Sequence, residues 1–383
     1  MNQKEIREIK ARFKPDKDSI SRIYGCYVNA AHEIVTRLDL SVGMMGEEEA
    51  ELYLKLLKKT LSGTLGKNLI NLEFSTAQVE NGDEQRLLQA LRASQLKDES
   101  LRELLYTRII DSLKLDEESY VILLASDSYD VPFKGSDDEI WDEGSGEVYN
   151  YILCCICPVK DAKNTLRYSA DEQSFRSTST GHILAAPELG FLFPAFDNRQ
   201  ANIYAALYYS KALSDIHEDF VSAIFNVDKA PMSADAQKNT FCELLSDSLD
   251  SDCSFELVRA MHGELRERLA LHKESKNPEA PEIYVEEVDE ILSRSGIAAE
   301  KVSAFNEACC SQFGDSDSLN PINLMETSRF EMKTPRVKIS ADPDYTDSIE
   351  LRSIDNRHCL VIPIEDGEVQ VNGISIRTGS TDI

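Results

Sequence analysis

Cys154, Cys155 and Cys157 fall within four positions of YILCCICPVK, residues 151–160, and thiols at that density invite a metal site or a nucleophile. An extended strand alternates its side chains between two faces. Cys155 and Cys157 therefore share a side with Leu153, while Cys154 turns away with Ile152 and Ile156. Two converging thiolates fall short of the four ligands of a structural zinc site. The stretch is apolar on both faces, and free cysteine packs as a small hydrophobe, so it reads as a central strand buried on both sides. Cys309 joins Val302 and Phe305 on a helical stripe and Cys359 lies inside HCLVIPI; both read as core. Neither a metal ligand set nor a cofactor is expected.

Other capable side chains sit between β-rich segments. His182, in STSTGHILAAPE, stands near the hydroxyls of Ser179 and Thr180 and, with Asp197, is the candidate general base. Asp127 and Asp130 follow a strand-like run and are further catalytic candidates. They head a cluster with Asp137, Asp138, Asp142 and Glu143, a carboxylate density from which divalent-cation sites are built. In so acidic a chain, that cluster reads as a solvated loop. In ELGFLFPAFDNRQ, residues 188–200, Phe191 and Phe193 alternate into a core. Phe196 lies beyond Pro194 and is expected to be exposed. With Asn198 and Arg199 it forms the candidate recognition turn, Arg199 being able to pair an acid or a phosphate.

Several familiar patterns fail on spacing. LSGTLGKN has two residues between its glycines where a phosphate loop has four, and Asn68 where that loop has Ser or Thr; it reads as a helix cap and turn. DSDSLNPINLME sets Asp315, Asp317 and Glu326 at calcium-loop spacing but puts Leu319 at the fifth position and Asn320 at the turn glycine. H-E-x-x-H and G-x-S-x-G are absent, which disfavours zinc hydrolases and hydrolase elbows.

Composition narrows the rest. The 383 residues carry 41 Lys and Arg against 68 Asp and Glu, a net charge of −27 that repels phosphate backbones and disfavours nucleic-acid binding. The N-terminal MNQKEIREIKARFK lacks a signal-peptide core, and no apolar run approaches bilayer length, so no membrane partner is expected. Nine cysteines in no regular framework fit reduced thiols in a cytoplasm.

Hydrophobic periodicity predicts the elements that must position these groups. Helices are expected over 2–13, 46–63, 83–94 and 98–113, with a strand in SISRIYGCYVN weakened at Gly25. From Ser119 the pattern turns to strands without intervening helices, which implies an antiparallel or mixed sheet. Helices return over 215–224, 233–249, 254–272, 282–294 and 298–312. Short strands close the chain, with VNGI as a hairpin turn. The fold class is α+β, with residues 1–213 an α+β domain, 214–328 a helical insertion and 329–383 a β segment expected to rejoin the first sheet.

The blocks SRIYGCYV, KKTLSGTLGKNL, YNYILCCICPVK, ELGFLFPAFDNR and LYYSK resemble those of a bacterial family known as a domain of unknown function, found mainly in Gram-positive anaerobes of the Firmicutes. The resemblance runs nearly the full length. It implies a bacterial, cytoplasmic protein and carries over no activity, cofactor or catalytic residue. Two functional classes remain. The preferred one is a non-enzymatic protein that acts by binding protein partners. The other is an enzyme or nucleic-acid-linked factor, for example in phage defence or nucleoid biology, with a site at the strand ends around Asp127–Asp130 and His182–Arg199. Convergence of Asp127, Asp130, His182 and Arg199 in one pocket would favour the second.

Overall fold

The computed structural model describes residues 1–383 apart from 18, 114, 116–117, 135–139, 142–146, 163–164, 170–172, 179–180, 228–229, 315–317, 364–367 and 378–383. The chain divides into two compact units, Met1–Gln237 with Asn277–Ala280, and Lys238–Lys276 with Pro281–Ile383.

The first unit is built on one antiparallel sheet. Its strands are β1 (Arg22–Val28), β2 (Ile34–Ser41), β3 (Leu69–Glu73), β4 (Tyr120–Asp130), β5 (Val148–Asp161), β6 (His182–Leu184) and β7 (Leu189–Phe193). A small hairpin, β8 (Ala195–Asp197) and β9 (Gln200–Asn202), precedes the last sheet strand, β10 (Ala205–Ser210). The sheet order is β2-β1-β4-β5-β7-β10-β3, with β6 beside β5. The cysteine-rich strand β5 is thus central, with Cys155 opposite Leu123 on one side and Gly190 on the other.

Alternation along β5 feeds two separate cores, one on each face of the sheet. Ile152, Cys154 and Ile156 pack toward α4 (Asp83–Ala93), which α3 (Thr76–Asn81) precedes, and toward α5 (Glu99–Ser112) and α6 (Glu218–Phe225). Leu153, Cys155 and Cys157 pack toward α1 (Gln3–Lys10) and α2 (Glu47–Lys59). Each fully buried Leu or Phe in these layers contributes ~1.5–3 kcal/mol. The helices form where the sequence favours them. In α2, Ala50, Leu54 and Leu57 bury one stripe, while Glu47–Glu49 and Lys58–Lys59 complement the helix dipole at its two ends.

Two strands, β2 and β3, fall where no strand was anticipated, and both are edges of the sheet. An edge strand buries less: β2 has no fully buried residue, so its apolar alternation is diluted by Arg37 and Asp39. β3 is five residues long and directly follows the turn after α2.

In the second unit, α7 (Ala234–Leu249) from Lys238 onward, α8 (Phe255–Ser275), α9 (Val285–Arg294), α10 (Ala299–Phe313) and α11 (Pro321–Leu324) contribute to a core around Phe241, Met261, Leu292 and Phe305. The closing strands are three hairpins, Phe330–Lys333 with Lys338–Ala341, Glu350–Ile354 with Arg357–Val361, and Glu368–Val371 with Ile374–Arg377. Among the described residues each pairs only with itself, and the expected return to the first sheet is not among their pairings. The reason is local. Asp355–Asn356 and Asn372–Gly373 are two-residue turns in the left-handed region, which close hairpins without a third strand. The strand Glu350–Ile354 buries none of its residues, its apolar Leu351 and Ile354 included. Cys359, expected in a core, is half-buried on this hairpin. No helix among the described residues is long and apolar enough to cross a membrane.

Candidate functional site

Glu5, Glu8 and Arg12 recur at spacings of three and four, which sets them on one side of α1 and the turn that follows it. A capping box between Asn2 and Glu5 starts this helix, the Glu5 carboxylate accepting the Asn2 amide at 2.7 Å. Arg12 then grips Asp127 with two hydrogen bonds, Nε to Oδ2 at 2.5 Å and Nη2 to Oδ1 at 2.9 Å. The Tyr151 hydroxyl donates to the same Oδ2 at 3.1 Å. The Asp127 side chain is 2% exposed, so its charge is carried by these partners instead of water.

The network continues toward the β8–β9 hairpin. The Arg12 guanidinium lies over the Tyr129 ring at 4.4 Å, and the Tyr129 hydroxyl donates to Glu8 Oε1 at 2.8 Å. Glu8 Oε1 also pairs with Arg199 Nη2 at 3.1 Å, and that nitrogen donates to the Pro132 carbonyl at 2.8 Å. Asn198 and Arg199 are the two turn residues of the hairpin, both left-handed with φ of 49° and 61°, which aims Arg199 back at α1. Asn202 donates to Asp197 Oδ2 at 3.2 Å. Burial raises the Glu5 carboxyl above its ordinary value, and the nearby Asp197 charge adds to the rise. Burial and the bond to Glu8 push the Tyr129 hydroxyl well up.

Phe196 is fully buried, contrary to its expected exposure. The hairpin folds it under α1, with ring centroids 4.6 Å from Tyr149 and 6.1 Å from Tyr129. The Tyr149 hydroxyl donates to the Pro194 carbonyl at 2.6 Å. Phe196 is a packing residue, and so it cannot be a recognition side chain.

His182 and Asp130 stand outside this network. Asp130 is exposed at the end of β4. His182 lies on β6 opposite Asp161, its Nδ1 3.0 Å from that carboxylate, and both side chains are open to solvent. Ser179, Thr180, Asp137, Asp138, Asp142 and Glu143 lie outside the described residues, as do Asp315 and Asp317. Among the described residues no three His, Cys, Asp or Glu side chains gather as metal ligands.

The cysteines of β5 divide as the alternation requires. Cys154 and Cys157 do stand at C-x-x-C spacing, but they occupy opposite faces of the strand. Cys155 and Cys157 approach to 3.5 Å between sulfurs, fully buried. Their mutual hydrogen bond and burial hold the Cys157 thiol far above its ordinary value, and burial does the same to Cys154. The Cys154 and Cys157 thiols stay protonated, and all three cysteines pack as core.

The arrangement is an α+β protein whose best-formed polar cluster fastens its first helix to the end of its sheet. Arg12 and Glu8 gave no signal in the sequence, because their partners Asp127 and Arg199 are over a hundred residues away. The chain belongs to the family described as a domain of unknown function, DUF4317, whose family model matches residues 1–374. No curated protein matches it.

Proposed function

We propose that the chain is a non-enzymatic, cytoplasmic bacterial protein that acts by binding other proteins. One observation carries this reading: the catalytic candidates do not form a working set. Asp127 and Arg199 are occupied with Arg12, Tyr151 and Glu8, while Asp130 and His182 stand exposed and apart. A general base needs a nucleophile or substrate proton within hydrogen-bond reach, and His182 has only the exposed Asp161 carboxylate beside it among the described residues. The net charge of −27 favours protein partners over nucleic acid.

The full chain, tagged and expressed at native abundance in its host, is expected to retain a protein partner in stoichiometric amount on gentle purification. The reading fails if no protein co-purifies stoichiometrically and the purified chain instead turns over a substrate in a manner abolished by His182→Ala.

A further inference from the structure

A cleft of ≈ 440 Å³ opens beside the helix-fastening cluster, lined among others by Ser21, Arg22, Tyr24, Lys97, Ser126 and Ser128. Its place follows from unequal strand lengths. Pairing between β1 and β4 ends at Ile23 opposite Ala125, while β4 runs on to Asp130 with β5 alone beside it. The edge of β4 from Ser126 onward therefore has no strand partner on the cleft side among the described residues. The α4–α5 turn supplies the remaining wall, with Gln95 and Leu96 both left-handed and Ser126 donating to the Gln95 carbonyl at 3.1 Å.

The charge in this cleft is opposite to that of the molecule. Its lining holds Arg12, Arg22 and Lys97 against one carboxylate, Asp127, and Arg12 already neutralises that carboxylate with two hydrogen bonds. Lys97 contacts only the Gln95 side-chain oxygen, at 2.9 Å, and no carboxylate among the described residues. Arg22 spends Nε on Asp39 at 2.6 Å, leaving its two terminal nitrogens for another acceptor. The Ser21 hydroxyl makes no side-chain hydrogen bond among the described residues. One cation without a carboxylate partner, Lys97, the terminal nitrogens of an arginine whose charge is shared with Asp39, a hydroxyl and a free strand edge in one concavity match the donor set that holds a phosphate group. The volume exceeds what one phosphate fills and falls within the range of small-molecule sites.

We propose that this cleft binds a phosphorylated small molecule, with Arg22 and Lys97 holding the phosphate and the wall of Tyr24 and the serines facing the remainder. The site does not depend on the protein-partner reading, since a ligand here can exist with or without one.

Calorimetric titration of the full chain with inorganic phosphate, pyrophosphate and ADP, at fixed ionic strength, tests it. Saturable one-to-one binding is expected for at least one of the three, weakened at least tenfold by the double substitution Arg22→Gln, Lys97→Gln. Both side chains are exposed enough that the fold should persist, which the thermal midpoint without ligand checks. A second variant, Ser126→Leu, fills the cleft without removing charge and is expected to weaken binding as well. The proposal is overturned if none of the three probes binds saturably, or if the double variant binds as tightly as the native chain.

Discussion

Asp127 is the residue at which the helix and the sheet meet electrostatically. Removing one partner of a buried ion pair leaves the other uncompensated, so Asp127→Ala is expected to cost ~3–5 kcal/mol in urea unfolding. Asp127→Asn retains an acceptor for Arg12 and Tyr151 and should cost less; an equal loss from both would mean that the acceptor geometry contributes nothing. Glu5 gives a pH signature of its own. Its folded carboxyl is raised by burial, so the folded state holds a proton more readily than the unfolded chain. Its stabilising contribution is complete below the ordinary carboxylate range and is lost as pH rises through the raised value. Glu5→Gln should therefore raise the thermal midpoint at pH 7, with the advantage shrinking at pH 4; no gain at pH 7 would refute the assignment. At this scale the sequence identified Asp127, Asp197 and Arg199 as notable polar residues but not what they do. A carboxylate looks available for chemistry until the guanidinium that occupies it is located, and distant pairing leaves no local trace.

The elements were more legible, because periodicity is a local property. The predicted helices fall within a few residues of their spans, though the short α3 and α11 were not anticipated, and the β5 alternation sorted its cysteines correctly. What periodicity could not supply was the fate of segments whose burial depends on a partner elsewhere. Phe196 looked exposed because it follows a proline, yet the hairpin that carries it is covered by α1. The closing strands have real strand patterns, but among the described residues each finds its partner only within its own hairpin. Gly25, read as a weak point in its strand, is a requirement of close packing: a Cβ there would lie 2.3 Å from the Ile122 carbonyl oxygen. Gly190 is tighter still, 2.3 Å from the Cys154 carbonyl oxygen and 2.6 Å from a Thr60 methyl. Gly190→Ala is expected to cost ~1–3 kcal/mol, since backbone of the central strand cannot move aside. Gly43→Ala, with open space around it, is the matched control and should leave the urea midpoint unchanged.

For the whole molecule, charge is the dominant quantity. A net −27 spreads self-repulsion over the folded surface, and this repulsion is long-ranged and therefore sensitive to salt. Raising NaCl from about 20 to about 200 mM, over which the screening length falls severalfold, should raise the thermal midpoint. The Arg12–Asp127 pair is shielded from solvent and should lose little in the same range. A midpoint that falls with salt would show that exposed ion pairs such as Arg37–Glu103 outweigh the repulsion.

The fastening of α1 also sets an order of events in time. The helix leaves the ribosome well before its anchors, since Asp127 and Arg199 are 115 and 191 positions behind Arg12 and Glu8. At ordinary elongation speeds the last anchor arrives roughly 10–40 s after the helix. For that interval Ile6, Ile9 and Phe13, all buried in the finished protein, lack the complete sheet that covers them. The nascent chain thus displays a short apolar segment, too short to hold a helix unaided, and a holding chaperone could grip it there.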